Sequence, residues 1–181
     1  MSGPIVVVSG LPASGKSALS RLLAVETGLP VLSLDTVKEA VVDELDPQHR
    51  LDRFAVRRAA REVVVRQAAE QPGGCLIDIW LNPVRDESGF TEALRALPDA
   101  GFLEIVCRVP VEVALERYAG RHRHPAHLPM DRDAEDRIRE AAPRIGPLGL
   151  GPHRDVDTTA PPTAEDLADL VAWLGAARVP R

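Results

Sequence analysis

The sequence is poor in lysine, cysteine and aromatic residues, and each shortage narrows what the chain can be. Its 181 residues include 22 basic side chains, of which only Lys16 and Lys38 are lysines. The two cysteines, Cys75 and Cys107, lie inside apolar runs, so we expect buried, reduced thiols rather than disulfides. Aromatic residues make up 3% of the chain, which predicts an aliphatic core.

Charge and hydropathy exclude further classes of protein. The net charge of −5 argues against a protein that coats nucleic acid, because such proteins are usually basic. No apolar run approaches the roughly 18 residues that a membrane span needs. The chain begins with a strand-like segment and no basic stretch, so we expect no signal peptide and a cytoplasmic location. The length fits one domain over residues 1–181.

Strand and helix patterns alternate along the chain. Nearly continuous aliphatic runs predict strands at residues 5–8, 31–34, 75–79 and 103–107, with a weaker one at 154–157. Helical patterns cover residues 16–27, 36–45, 51–70, 111–120, 131–142 and 163–174. This alternation predicts an α/β fold with a parallel sheet covered on both faces. In such sheets ligands bind at the carboxyl ends of the strands, so we expect the functional motifs directly after each strand.

A phosphate-binding loop follows the first predicted strand. Residues 10–17 read G-L-P-A-S-G-K-S, which matches the Walker A pattern G-x-x-x-x-G-K-[ST] between a strand and a helix. Backbone N–H groups of such a loop hold phosphate oxygens, Lys16 reaches the β- and γ-phosphates, and Ser17 ligates Mg²⁺. The residues assigned to nucleotide binding here are Gly10, Pro12, Ala13, Ser14, Gly15, Lys16, Ser17 and Ala18.

The rest of the sequence narrows the kind of nucleotide-binding protein. A GTPase reads guanine with an Asn-Lys-x-Asp segment, which a chain with two lysines at these positions does not contain. A motor module or a transport ATPase is normally longer and has further signature elements that we do not find. The short chain and an acidic residue after the second strand favour a small kinase.

Asp35 and Lys38 follow the second predicted strand and are candidates for contact with the phosphate acceptor. Asp35 can orient an acceptor hydroxyl and take its proton, although a helix N-cap is the alternative for this residue. Lys38, one helical turn later, can neutralise negative charge on substrate or phosphate, or lie on a solvated helix face.

Asp78 and Trp80 lie at the end of the third predicted strand. An acidic residue at this place, in a chain with a phosphate loop, typically supports Mg²⁺ through water. We therefore assign Asp78, with Ser17, to the metal. Trp80 and Asn82 are candidates for the wall of the acceptor pocket, with partial burial in the core as the alternative for the tryptophan.

Two segments are rich in arginine. In the first, a stripe recurs at helical spacing and consists of Arg50, Arg53, Arg57 and Arg61. A solvated face accounts for most of it, but Arg57 or the neighbouring Arg58 can bind an anionic acceptor.

The second segment, residues 116–125, contains Arg117, Arg121 and Arg123 at a helix end and in the loop beyond. A lid over about residues 120–131 needs such groups to bind the nucleotide and stabilise the transferring phosphoryl, so we assign all three arginines to the nucleotide and give Arg121 a catalytic role as well. The alternative interpretation is that these arginines only provide favourable positive charge at the C-terminus of the helix. His122, His124 and His127 lack partners for a convincing zinc set, so we interpret this stretch as a polar loop.

With these motifs in place, the chain resembles the small P-loop kinases, the group that includes gluconate kinase, shikimate kinase, chloramphenicol phosphotransferase, zeta-toxin-like kinases and the polynucleotide kinase domain. The resemblance runs from Ile5 to about Trp173. The motifs that carry it are residues 10–17, Asp35 with Lys38, Ile77 with Asp78, residues 108–123 and residues 155–159. It implies a three-layer sandwich with a five-stranded parallel sheet in the order 2-3-1-4-5 and a lid.

The resemblance also implies ATP and Mg²⁺ as cofactors, transfer to a hydroxyl, and Asp35 as the acceptor-binding acid. The sequence departs from polynucleotide kinases, which tend to carry arginine where Lys38 stands, and it lacks an obvious carboxylate-binding set of the shikimate type. We expect a small-molecule acceptor such as an antibiotic, a sugar or a nucleotide-sugar. A polynucleotide 5′-hydroxyl kinase and an ATP-binding regulatory module without transfer activity are the alternatives.

Overall fold

A five-stranded parallel sheet forms the centre of the molecule in the computed structural model. The structure describes residues 3–45, 50–83, 88–98, 100–121, 124–127 and 131–176. The strands stand in the order β2-β3-β1-β4-β5, and every pairing is parallel. The predicted fold class and strand order are confirmed.

The elements follow the predicted alternation. The strands are β1 Ile5–Gly10, β2 Val31–Ser33, β3 Cys75–Asp78, β4 Phe102–Arg108 and β5 His153–Asp157. The helices are α1 Lys16–Thr27, α2 Leu34–Leu45, α3 Arg53–Ala69, α4 Ser88–Arg95, α5 Val111–Ala119, α6 Arg132–Ala141 and α7 Ala164–Ala176. A short 3₁₀ turn, Ala142–Arg144, follows α6.

The central strands β1, β3 and β4 are buried on both faces, which explains their nearly continuous apolar runs. Successive residues of a strand point to opposite faces, so Val7 and Ile77 pack against α3 and α4 while Val6 and Leu76 pack against α1 and α7. The result is a three-layer sandwich with two aliphatic cores, and the carboxyl ends of β1, β2 and β3 meet at one edge.

Helix α2 begins two residues earlier than predicted, and this changes the interpretation of Asp35. The hydroxyl of Ser33 accepts a hydrogen bond from the backbone N–H of Thr36 (3.4 Å), the arrangement of an N-cap. Asp35 therefore lies within the first turn of α2 rather than at its cap. The cap alternative was wrong, because Ser33 and not Asp35 accepts the capping hydrogen bond.

Helix α4 was missed by the sequence analysis. It spans only two turns and has Gly89 near its start, so propensity does not favour it. The signal present was the pair Phe90 and Leu94, four residues apart and both buried. The helix connects the parallel strands β3 and β4, and a crossover between parallel strands usually contains a helix.

The two cysteines are buried and unbonded, as predicted. Cys75 is fully buried and Cys107 is 2% exposed. Burial raises the pKa of each thiol to about 12, so both stay protonated near neutral pH.

Within the described ranges, no helix is both long and apolar enough to cross a bilayer.

Candidate active site

The phosphate loop is shaped by two glycines with positive φ. Gly10 has φ 150°, and a Cβ there would lie 2.7 Å from Ser14 Oγ and 2.8 Å from the carbonyl oxygen of Cys107. Gly15 has φ 93°, in the left-handed region. A side chain at Gly10 has no room, and one at Gly15 is strained, so the pattern requires glycine at both places for physical reasons.

The N-terminus of α1 faces the loop without a protein cap. Gly15 occupies the N-cap position without a side-chain hydrogen bond, and the first turn contains no acidic residue. The Nζ atom of Lys16 donates to the carbonyl oxygen of Leu11 (3.2 Å), and the residue is only 8% exposed. Free first-turn N–H groups, a helix dipole and a held ammonium together form a site for a phosphate chain.

Asp78 ends β3 beside this loop and is nearly fully buried, with 5% of its surface exposed. Burial raises the pKa of its carboxyl, while the charge of Lys16 and a hydrogen bond from Ser17 act in the opposite direction. Its Oδ1 atom has no hydrogen-bond partner. A buried carboxylate oxygen without a donor, next to a serine hydroxyl, fits Mg²⁺, which prefers oxygen ligands and usually takes only one or two carboxylates from the protein.

Asp35 and Lys38 form an ion pair in the first turns of α2. Their Oδ1 and Nζ atoms are 2.8 Å apart. Burial alone would raise the pKa of Asp35, but the charge and hydrogen bond of Lys38, with a smaller effect of the charge of Lys16, hold it below its ordinary value. Burial lowers the pKa of Lys38, and the interaction with Asp35 offsets this only in part. The side chain of Lys38 is only 14% exposed, so the alternative that it lies on a solvated helix face was wrong.

The segment 124–127 is tied to α2 by both of its histidines. The Nε2 atom of His127 lies 2.6 Å from Glu39 Oε1, and its Nδ1 atom lies 3.0 Å from Lys38 Nζ. The Nε2 atom of His124 lies 2.8 Å from Asp43 Oδ1. These contacts join residues more than 80 positions apart in the chain, and no local sequence pattern predicts them. His122, the third histidine of the loop, lies outside the described residues.

A cavity of about 340 Å³ connects the phosphate loop to Asp35. Its lining includes Lys16 and Ser17 on one side and Asp35 and Lys38 on another. The further lining residues are Pro12, Ala13, Leu34, Glu39, Arg53, Phe54, Arg57, Trp80, Tyr118, Arg121, His124, Ala126 and His127. Most of the residues that sequence analysis singled out therefore meet in one place, while Ala18 is exposed on α1 and does not line it.

Arg57 and Arg58 have different surroundings in the structure. Arg57 is half-buried, donates to the carbonyl oxygen of Trp80 (2.7 Å) and lies 5.6 Å from the centre of its ring system. Arg58 is exposed and does not line the cavity. Arg53, one turn before Arg57, also lines it, whereas Arg50 precedes the helix.

The arginines of the predicted lid have different surroundings. Arg117 donates to the carbonyl oxygens of Thr158 (3.0 Å) and Thr159 (2.6 Å), and so holds the loop after β5 against the rest of the site. A Cβ at Gly15 would lie 3.4 Å from Thr158, which places that loop beside the phosphate loop. Arg121 is exposed at the cavity, and Arg123 lies outside the described residues. Binding of nucleotide by these arginines stays a prediction.

Asn82 does not line the same cavity as Trp80. It is buried and lines a second cavity of about 200 Å³, together with Ser9, Thr91 and Arg144. The sequence analysis also missed Phe54 and Tyr118 at the first cavity. Phe54 is 56% exposed beside the arginine stripe, and an aromatic residue in a chain with so few is the signal that was available.

Comparison with known proteins agrees with this geometry. Residues 5–143 match the model of an AAA domain family. A candidate kinase from Chloroflexus aurantiacus is 29% identical with a TM-score of 0.78, and the alignment covers 97% of this chain and 98% of that one. No curated protein sequence matches the chain.

More distant structures share the fold. The shikimate kinase of Acinetobacter baumannii, in complex with shikimate, is 14% identical with a TM-score of 0.65 and coverages of 98% and 96%. A gluconokinase from Sinorhizobium meliloti is 19% identical with a TM-score of 0.61 and coverages of 96% and 92%. The chain belongs to the AAA domain family matched over residues 5–143, within the superfamily of small P-loop kinases.

Proposed function

We propose that this chain is an ATP-dependent kinase that transfers the γ-phosphoryl group to a hydroxyl of a small molecule. The observation that carries the proposal is the single cavity that joins Lys16 and Ser17 of the phosphate loop to the carboxylate of Asp35. A nucleotide on the loop would present its terminal phosphate to an acceptor held at Asp35. The bonding change is a new bond between the acceptor oxygen and phosphorus, with the β–γ bridging bond broken and its electron pair leaving on ADP.

Each cavity residue has a role that follows from its surroundings. Lys16 and the N-terminus of α1 stabilise charge on the phosphates. Asp35 stays ionised because Lys38 lowers its pKa, so it can orient the acceptor hydroxyl and receive its proton as the new bond forms. Arg121 lines the cavity, which supports a role in stabilising charge on the transferring group.

Ser17 and Asp78 would hold Mg²⁺, which when bound neutralises phosphate charge and orients the leaving group. The buried carboxylate of Asp78 and its hydrogen bond with Ser17 support this assignment.

The acceptor side of the cavity favours a substrate that carries negative charge. Arg53 and Arg57 lie one helical turn apart and line this side, with Phe54 and Trp80 beside them. Guanidinium groups bind carboxylates and phosphates bidentately, and an aromatic wall suits a sugar or planar ring. Among the classes expected from the sequence, these residues favour a nucleotide-sugar or another anionic sugar derivative over a neutral or cationic antibiotic.

Changing Asp35 to asparagine is expected to keep ATP binding within about threefold and to lower kcat by about a hundredfold or more, because the general base is lost. Mass spectrometry of products formed from Mg·ATP and a mixed pool of metabolites, antibiotics and oligonucleotides gives the rate. Glu44→Gln, an exposed change on the same helix outside the cavity, is the control. Unchanged turnover of the Asp35 variant would remove this residue from the mechanism.

Arg57 and Arg58 form a natural matched pair for testing an anionic acceptor. Arg57→Gln is expected to raise the KM for the acceptor by about tenfold or more, since a charge-assisted contact is removed, while the KM for ATP changes little. Arg58→Gln removes the same charge from an exposed neighbour and is expected to leave both constants near the wild-type values. Equal effects of the two changes would argue for a long-range charge effect instead of a contact.

A polynucleotide 5′-hydroxyl kinase is the second candidate, favoured by the exposed Arg53 and Phe54 at the cavity. Ionic strength separates the two, because binding of a polynucleotide weakens steeply with salt. The KM for an oligonucleotide acceptor would then rise much more between low and moderate salt than that for a small anionic acceptor.

A further inference from the structure

A chain of four polar side chains crosses from the acceptor site to the segment 124–127. Asp35 contacts Lys38 (2.8 Å), Lys38 contacts His127 Nδ1 (3.0 Å), and His127 Nε2 contacts Glu39 (2.6 Å). The side chain of His127 is 9% exposed and that of Lys38 is 14% exposed, so water competes little for these contacts. The lysine of the Asp35 ion pair is thus hydrogen-bonded to a residue 89 positions away in the sequence.

The chemistry of the two contacts fixes the protonation of the imidazole. A lysine ammonium has donors only, so Nδ1 of His127 must act as the acceptor of the hydrogen bond from Lys38. The carboxylate of Glu39 has acceptors only, so Nε2 must carry the proton. His127 is then a neutral imidazole with its proton on Nε2, and Glu39 selects this tautomer.

We propose that His127 is a positioning residue of the kinase site: as a neutral acceptor it holds the ammonium of Lys38 against Asp35. It acts through Lys38, since its Nδ1 atom lies 3.0 Å from Lys38 Nζ and 4.0 Å from Asp35 Oδ1. Asp35 thereby keeps its charge and its direction into the cavity. This role rests on the proposed kinase function.

Protonation of His127 would abolish this arrangement. A proton on Nδ1 would face the ammonium of Lys38 across 3.0 Å, so two cations would replace a hydrogen bond. An imidazole ordinarily takes up its second proton near pH 6.5. Glu39 and the carboxylate of Asp35, whose Oδ1 atom lies 4.0 Å from Nδ1, favour that proton. Lys38, Arg53 and the nearby Arg57 oppose it.

Asp35 itself does not titrate in this range, because Lys38 holds its pKa below the ordinary 3.8. His124, whose ring centre lies 6.5 Å from that of His127, is paired with Asp43 instead of Lys38. Acidification should therefore lower turnover through His127, with kcat falling as the pH drops while Asp35 is still ionised.

Two substitutions separate the hydrogen bond from the bulk of the side chain. The carbonyl oxygen of asparagine stands close to where Nδ1 stands in histidine, so His127→Asn keeps an acceptor for Lys38 that does not titrate. His127→Leu fills the space without an acceptor. We expect the leucine variant to lose about tenfold or more in kcat with the KM for ATP nearly unchanged, and the asparagine variant to stay within about threefold and lack the acid limb.

Asp43→Asn is the matched control, because it weakens the contact of His124 with α2 and leaves the contacts of Lys38 in place, and Asp43 does not line the cavity. It is expected to retain the acid limb of kcat. The proposal is overturned if His127→Leu keeps the wild-type kcat and pH profile, if asparagine and leucine at this position are equally damaging, or if Asp43→Asn abolishes the acid limb as well.

Nitrogen NMR of the imidazoles tests the arrangement without any acceptor. In ¹⁵N-labelled protein the signals absent from the His127→Asn variant belong to His127, and they should show the tautomer protonated at Nε2 at neutral pH. A proton on Nδ1 overturns the inference whatever the activity. Failure of the proposed function has a different signature, namely no phosphorylated product from the wild type with any acceptor.

Discussion

Replacing Lys16 with alanine is expected to lower kcat/KM by about a thousandfold, or about 4 kcal/mol of transition-state stabilisation. The reason is geometric as well as electrostatic. Lys16 is the first residue of α1, and its ammonium is held by the carbonyl oxygen of Leu11 inside the phosphate loop. At this position it adds a full positive charge to the partial charge of the helix N-terminus, in a site that excludes most water. Steady-state kinetics with the identified acceptor measures the loss.

Two further variants show whether charge or shape is responsible. Lys16→Met preserves most of the packing of the buried stem and removes the ammonium. We therefore expect its activity to match that of the alanine variant and its free energy of unfolding to be closer to that of the wild type. Lys16→Arg keeps the charge, but its planar guanidinium does not fit where a compact ammonium lies, and we expect it to recover little of the lost rate. Full activity of Lys16→Ala would contradict the entire assignment of the phosphate loop.

The sequence predicted the fold because its signals are local. Strand β1, the loop and α1 follow one another without interruption, and the glycines at 10 and 15 are needed for backbone reasons that a pattern records. Helix α1 begins at Lys16 and ends at Thr27 before Gly28, as predicted from the Gly that follows it. The nearly continuous aliphatic runs at β1, β3 and β4 are typical of strands buried on both faces, and these strands are buried.

The contents of the site were predictable only in part, because contacts between distant segments leave no local pattern. Spacing placed Asp35 and Lys38 one turn apart, but it could not show that His127 lies against Lys38, 89 positions later. Arg57 and Arg58 are equivalent in composition and differ only in which side of α3 meets Trp80. Helical phase alone was insufficient, since the partner surface was not known.

The buried carboxylate of Glu104 has no predicted catalytic role, and we expect it to contribute strongly to the stability of the fold. It lies within β4 with 1% of its surface exposed, and it accepts hydrogen bonds from the backbone N–H groups of Leu148, Leu150 (2.7 Å) and Gly151 (3.3 Å). The sequence did not predict its burial, because a glutamate is rarely fully buried unless its carboxylate has partners, and those partners lie far away in the chain. Three donors converging on one carboxylate explain how this charge is tolerated inside the protein.

Glu104→Ala is therefore expected to lower the free energy of unfolding by about 3–5 kcal/mol, since it opens a cavity and leaves three N–H groups without an acceptor. Glu104→Gln retains one oxygen acceptor but turns N–H donors toward N–H donors, so about 1–3 kcal/mol is expected. Urea unfolding measures both losses, and Glu92→Ala, an exposed glutamate on α4, should change stability by no more than about 0.5 kcal/mol.

The loop that Glu104 holds leads from Arg144 to β5, and β5 leads to Thr158 beside the phosphate loop. Loss of the carboxylate should therefore weaken nucleotide binding as well as stability, because the loop contacted by Arg117 is anchored through β5. A Glu104→Ala protein as stable as wild type would show that these backbone groups find other acceptors. Unchanged nucleotide affinity with reduced stability would show that β5 keeps its place without the loop before it.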